Sequence, residues 1–320
     1  MNILFIGKYP PIEGGTASTA YWRHKELLKH GINFEIVTCI LNDSDYCIPK
    51  YKYDENVHVL SERVLWHIPY SQLYAEQLIS LALKIAKNKE FDAVEGSYLF
   101  PYGFAAFIVA KILDKPLILR HAGSDLHRII STGQFDDVIR EMTSNAKVIV
   151  TYRDCEDIWK RIDTNARLYF TERYVPNTLF FHDDEKGQNA VFLGKITEKW
   201  NRNQFDYFLS GLKEREYCSA ISVYSNDYTV SAFKNYFEKQ GFIVKPYSFI
   251  APEDVPSVLK NAKYVLLSEV PSGILEESNL FSEAVKCGCE VICASEHRMP
   301  KIAYDEYIQQ QIKIYKETVS

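Results

Sequence analysis

Short apolar runs of strand length alternate with stretches of helical periodicity along this chain, and that alternation leaves few folds open. A strand buried on both faces needs helices on both sides, which is a parallel sheet in a doubly wound α/β arrangement. In the first half the pattern places strands at 2–7, 33–38, 93–96, 116–120 and 148–152, with helices at 19–30, 73–89 and 105–113. A polar, glycine-containing break at 182–188 interrupts it. The pattern restarts with strands at 190–194, 220–224, 243–246, 263–268 and 290–294 and helices at 230–240, 255–261 and 279–287. Two doubly wound domains facing across a cleft are therefore expected, residues 1–183 and 184–302. Residues 303–320 read as a last helical stretch, with room to cross back onto the first domain.

The 320 residues are enough for two hydrophobic cores. A net charge of −5 gives no basic field to gather a phosphate backbone, so a dedicated nucleic-acid binder is disfavoured. The seven cysteines, an odd number in a chain too large to need staples, read as reduced thiols of a cytoplasmic protein. Met1–Gly7 reads as a first buried strand rather than a signal peptide, and no apolar stretch reaches the roughly 20 residues that span a bilayer. Membrane contact, if any, is expected to be peripheral.

Chemistry is expected where parallel strands end, because loops leaving the carboxyl ends of such strands line the crevice in which these sheets bind ligands. Lys8-Tyr9-Pro10-Pro11-Ile12-Glu13-Gly14-Gly15-Thr16 lies between the first strand and the first helix. Paired glycines let the backbone approach a ligand, and the amides at a helix start attract anions. The spacing is not the dinucleotide-binding fingerprint, and as bare residues the run also reads as a flexible turn. His121 follows the strand at 116–120, where an imidazole can hydrogen-bond a sugar hydroxyl or order an acceptor; a buried structural histidine is the other reading. Asp43-Ser44-Asp45 reads as a polar loop rather than a metal site, and Cys287, Cys289 and Cys293 lack a second ligand cluster at zinc spacing.

The Pro10-Pro11 and Gly14-Gly15 run after a first strand resembles the opening of the family-four retaining glycosyltransferases, whose fold is GT-B, two Rossmann-like domains. Further segments resemble that family's landmarks in the same order: Pro101–Ala106, Gly123-Ser124-Asp125, Val175-Pro176-Asn177, Phe192-Leu193-Gly194-Lys195 and Ser282–Gly288. The resemblance implies transfer of a sugar from a nucleotide-diphosphate sugar to an acceptor, with retention at the anomeric carbon and without an obligatory metal or other cofactor. The acceptor stays open between surface polysaccharide, lipid-linked sugar and a small metabolite.

The resemblance also implies roles for residues. Gly194 and the basic residue after it, Lys195, face the diphosphate together with Gly14 and Gly15. A second lysine further on is matched by Lys199, with Trp200 at the family's usual spacing. Of a glutamate pair eight positions apart, Glu283 matches the ribose contact. Leu275 stands at the first position, and the neighbouring Glu276 is taken as the sugar contact. Asn279 and Leu280 present helix-start amides to the donor, while Asp125 and Tyr102 lie on the acceptor side with His121. Two other readings stand beside this one: a nucleotide-sugar epimerase of the same fold, and a non-catalytic relative, to which Trp200, Leu275 and Thr178 point.

Overall fold

The computed structural model of the chain describes residues 1–40, 47–49, 51–60, 74–121, 126, 133–182, 186–196, 201–215, 218–268, 278–294 and 296–320, with backbone alone at 201 and 202. The first half forms a seven-stranded parallel sheet. Its elements in chain order are β1 (Asn2–Gly7), α1 (Gly15–Leu28), β2 (Asn33–Cys39), β3 (Val57–Leu60), α2 (Tyr74–Ala86), β4 (Ala93–Ser97), α3 (Phe104–Leu113), β5 (Leu117–Arg120), α4 (Asp136–Asn145), β6 (Ala146–Thr151), α5 (Glu156–Ile162) and β7 (Leu168–Phe170). The second half forms a five-stranded parallel sheet from β8 (Ala190–Leu193), α6 (Asn201–Lys213), β9 (Ala220–Tyr224), α7 (Asp227–Phe237), β10 (Ile243–Tyr247), α8 (Val255–Lys260), β11 (Tyr264–Leu266), α9 (Asn279–Lys286) and β12 (Glu290–Ile292). Helix α10 (Tyr304–Val319) follows.

Strand β1 shows why helices cover both faces of the first sheet. Its side chains alternate, so that Leu4 and Ile6 join the core with Leu78 of α2 and Ala105 of α3. Ile3 and Phe5 join the opposite core with Ala20 of α1 and Tyr315 of α10. All four are fully buried, and each contributes on the order of 1.5–3 kcal/mol by leaving water.

The strand orders are β3-β2-β1-β4-β5-β6-β7 and β10-β9-β8-β11-β12, so the order reverses between β1 and β4 in one sheet and between β8 and β11 in the other. In open α/β sheets ligands bind outside the carboxyl strand ends at that reversal. The two loops leaving β1 and β8, which hold Gly14 and Gly194, sit at these switch points.

The two expected doubly wound sheets are present. The sequence reading omits β3, β7, α4, α5 and α6. Strands β3 and β7 are sheet edges of four and three residues with only half-buried side chains for the most part, so they carry little apolar signal. Helix α4, Asp136-Asp137-Val138-Ile139-Arg140-Glu141-Met142-Thr143-Ser144-Asn145, buries only Ile139, Met142 and Thr143. The division drawn at 183 falls on residues outside those described.

Helix α10 buries Tyr304, Tyr307, Ile308, Gln311, Ile312, Ile314, Tyr315 and Thr318, a stripe of three- and four-residue steps. That stripe lies on the first sheet's side of the molecule: the Tyr304 hydroxyl donates to the Trp22 carbonyl at 2.7 Å, and Tyr315 hydrogen-bonds Glu95. No helix among the described residues is long and apolar enough to cross a membrane.

Candidate active site

Two adjoining pockets open between the sheets and share Gly15, Asn279 and Leu280. The smaller, about 160 Å³, lies between the β1–α1 loop and the second lobe. Six residues expected to serve a donor converge on it from three separate stretches of chain: Gly14, Gly15, Gly194, Asn279, Leu280 and Glu283. Gly14 has φ +125° and Gly194 φ +137°, conformations that only glycine adopts without strain, and a Cβ at either would meet nothing within 4 Å. Backbone therefore faces open space at both loops, where a ligand can come close.

Two helices start at this place. α1 begins at Gly15 without a side-chain cap, and α9 begins after Ser278, whose hydroxyl accepts from the Phe281 amide at 3.4 Å. Unsatisfied amides and the helix dipole make such starts favourable for an anion. Glu13 lines the same pocket, and Lys195 lies near enough to act on it. Burial raises the Glu13 carboxyl above its usual range, while Lys195 and then Lys8 pull it down. Glu283, half-buried by area but enclosed by protein, is pushed by burial up to about 8. Tyr224, at the pocket's edge, stacks on Tyr247 with ring centroids 4.6 Å apart and 11° between planes.

The larger pocket, about 490 Å³, is lined mainly by the first lobe. His121 is in its wall, 7% exposed, with Nε2 2.6 Å from the Thr151 hydroxyl, which also accepts from the Trp159 indole at 2.9 Å. The imidazole is thus held at the carboxyl end of β5, facing Tyr152 edge-on.

Three arginines that sequence reasoning passed over also line this pocket: Arg23 from α1, Arg120 from the end of β5 and Arg173 after β7. Arg23 Nη2 donates to Glu95 Oε1 at 2.6 Å and Arg120 Nε donates to the same oxygen at 2.7 Å, while the Tyr315 hydroxyl donates to Oε2. Burial alone raises the Glu95 carboxyl, but Arg120 and Arg23 outweigh it and the net direction is down. Its signal in the sequence was a lone glutamate within the buried strand Ala93-Val94-Glu95-Gly96-Ser97. Across the cleft, Asn279 Nδ2 donates to Thr19 Oγ1 at 2.7 Å and Arg173 Nη1 donates to Asn279 Oδ1 at 3.3 Å, so α9 is tied to the first lobe at the pocket mouth.

One expected position needs correcting. Tyr102, expected on the acceptor side, is fully buried with its hydroxyl 3.2 Å from Cys39 Sγ, in the core beneath α2 and α3. Its ring belongs to the apolar core that includes Leu4, Ile6 and Leu78, where leaving water is favourable, and it lines neither pocket. Lys199, Glu276 and Asp125 lie outside the described residues, as do Trp200, Leu275 and Asp43-Ser44-Asp45.

No protein-family model matches the chain, and no curated protein does. Solved structures do resemble it. A sucrose-phosphate synthase from Thermosynechococcus elongatus superposes with TM-score 0.57 at 12% identity, over 99% of this chain and 91% of that one. HepE from Anabaena, in complex with UDP-glucose, gives TM-score 0.54 at 11% identity over 100% and 92%. An alpha-glucosyltransferase in complex with UDP-glucose and DNA containing an abasic site gives 0.58 at 11% identity over 99% and 90%. At these identities the likeness is one of fold, and the fold of this chain is GT-B.

Proposed function

We propose that the protein transfers a sugar from a nucleoside-diphosphate sugar to an acceptor held by the first lobe. The observation that carries this reading is the smaller pocket, where glycine loops from both sheets, two helix starts and Glu283 meet at the two switch points. Two of the similar structures hold UDP-glucose, which supports a uridine donor.

In this arrangement the diphosphate lies between Gly14-Gly15 and Gly194-Lys195, the ribose beside Glu283, and the base toward Phe249, Ile250 and Tyr224. The sugar projects into the larger pocket beside His121. As the acceptor oxygen bonds to the anomeric carbon, the bond from that carbon to the phosphate oxygen breaks and its electron pair leaves with the diphosphate. Lys195 and the amides of α1 and α9 stabilise the charge that gathers there, and they act most strongly once water is excluded. The acceptor proton leaves on the departing diphosphate, in a front-face transfer that retains configuration. Retention rests on the sequence resemblance, and no metal is assigned a part.

Lys195→Ala tests the reading. It is expected to lower kcat about 10²-fold against a UDP-glucose donor while the fold is kept, and unchanged turnover sinks the assignment of that lysine. Calorimetric titration with UDP, ADP and GDP tests the pocket itself, and a protein that binds none of them is not a donor-dependent transferase. The anomeric proton coupling of the product, read by NMR, decides retention.

A further inference from the structure

We propose that the acceptor is anionic and that its phosphate or carboxylate seats on Arg120 in the floor of the larger pocket, with Arg173 beside it. The inference rests on the glycosyl-transfer reading for the word acceptor, but the seat itself stands on geometry. Arg23 and Arg120, with side chains 4% and 7% exposed, both bond the single carboxylate oxygen Oε1 of Glu95. Two buried guanidinium groups thus share one carboxylate. His24 does not alter that balance, because burial, Arg23 and Arg120 hold its imidazole well below its usual titration range and keep it neutral.

A buried cation in excess is costly unless an anion answers it. The unanswered donor can be located. Arg23 Nε is buried and meets no acceptor among the described residues. On Arg120, Nε is engaged by Glu95 and Nη2 reaches the Tyr315 hydroxyl at 3.5 Å, which leaves Nη1 as the donor in the pocket lining for which the described residues supply no acceptor. Arg120 is itself in the pocket lining, as is the half-buried Arg173, and among the described residues the acidic side chain lining that pocket is the exposed Glu172. Glu95 and Tyr315 hold Arg120 in place from behind, so the guanidinium is oriented before any ligand arrives.

The seat belongs to the acceptor rather than to the donor's diphosphate. All three arginines come from the first lobe and line the larger pocket alone, whereas Gly14, Gly194 and Glu283 line only the smaller one. At about 490 Å³ the larger pocket lies within the ~300–1,000 Å³ typical of ligand sites.

Calorimetry on the full chain saturated with UDP, titrated with glucose 6-phosphate, glucuronate and glucose, tests the proposal. At least one anionic probe is expected to bind about tenfold or more tightly than glucose, the usual gain from a charge-assisted contact. Arg120→Gln and Arg173→Gln are each expected to erase that preference; Arg120→Gln leaves UDP affinity within about twofold, whereas Arg173→Gln also removes the donor to Asn279 and is read only on the ratio of anionic probe to glucose. If Arg120→Gln unfolds because Glu95 loses a partner, Arg173→Gln carries the test. Equal affinity for glucose and both anionic probes, or a preference that survives Arg173→Gln, overturns the proposal. So does an Arg120-dependent preference for UDP-glucuronate over UDP-glucose, since the anion would then belong to the donor sugar. Failure of UDP to bind removes the donor reading instead, and the same anion titrations without nucleotide still decide whether the seat exists.

Discussion

Glu283 shows how one side chain carries both a proposed binding role and a stability cost. Enclosure by protein pushes its carboxyl from 4.5 up to about 8, so the native state holds a proton that the unfolded chain has released. Protonated, it can donate to a ligand hydroxyl; ionised, it would oppose a diphosphate nearby. Its effect on stability has a fixed sign. The native state binds more protons between about pH 4.5 and about pH 8, so stability is highest below that window and declines as pH rises through it. Glu283→Gln removes the titrating group and is expected to flatten that decline, which urea denaturation at about pH 5 and about pH 8 measures. A variant whose pH slope matches the wild type would place the raised carboxyl elsewhere. Glu283 was legible in the sequence through its motif. Arg23, Arg120 and Glu95 were not, because a charged residue inside a helix or strand shows no sign of its partner 25 or 72 positions away.

At the scale of elements, α9 is positioned by its two ends. Its start supplies Ser278, Asn279 and Leu280 to the cleft, and its end must reverse into β12 within a few residues. Gly288 makes that turn at φ +75°, with the Gly288 amide bonding the Val285 carbonyl at 2.9 Å and the Cys289 amide bonding Ala284 at 2.9 Å. A Cβ there would also lie 1.8 Å from the His182 ring. Gly288→Ala is therefore expected to lose about 1–2 kcal/mol of stability, with the exposed His182 swinging aside. A urea midpoint equal to the wild type would contradict it. The turn chemistry of this helix end could be read directly from the glycine after a periodic run. The short edge strands could not, since three or four residues carry too little pattern to distinguish pairing from loop.

For the whole molecule, the final helix is the connection that returns the chain from the second lobe to the first. Tyr315 closes it by donating to Glu95 beneath the larger pocket. Tyr315→Phe keeps the ring packing but leaves Glu95 Oε2 without that donor, and is expected to cost about 1–3 kcal/mol in thermal or urea unfolding. An unchanged midpoint would mean that the hydroxyl carries no weight in joining the last helix to the first sheet. The wild-type Glu95 network also has a sign with pH. Its carboxyl is held down by the two arginines, so its contribution is present above the ordinary carboxylate range and lost as pH falls through its depressed value.

The sequence by itself determined the two sheets, the chain order of most elements and the glycine loops at the two switch points. Those features depend on local periodicity and on backbone conformations that few residues permit, and both are written in neighbouring letters. Tertiary structure alone decided that Tyr102 belongs to the core, that Asn279 bridges to Thr19, and that two arginines converge on one glutamate under a pocket. Such facts depend on which distant residues burial brings within a few ångströms of one another, and electrostatic and packing forces act on that distance rather than on separation along the chain.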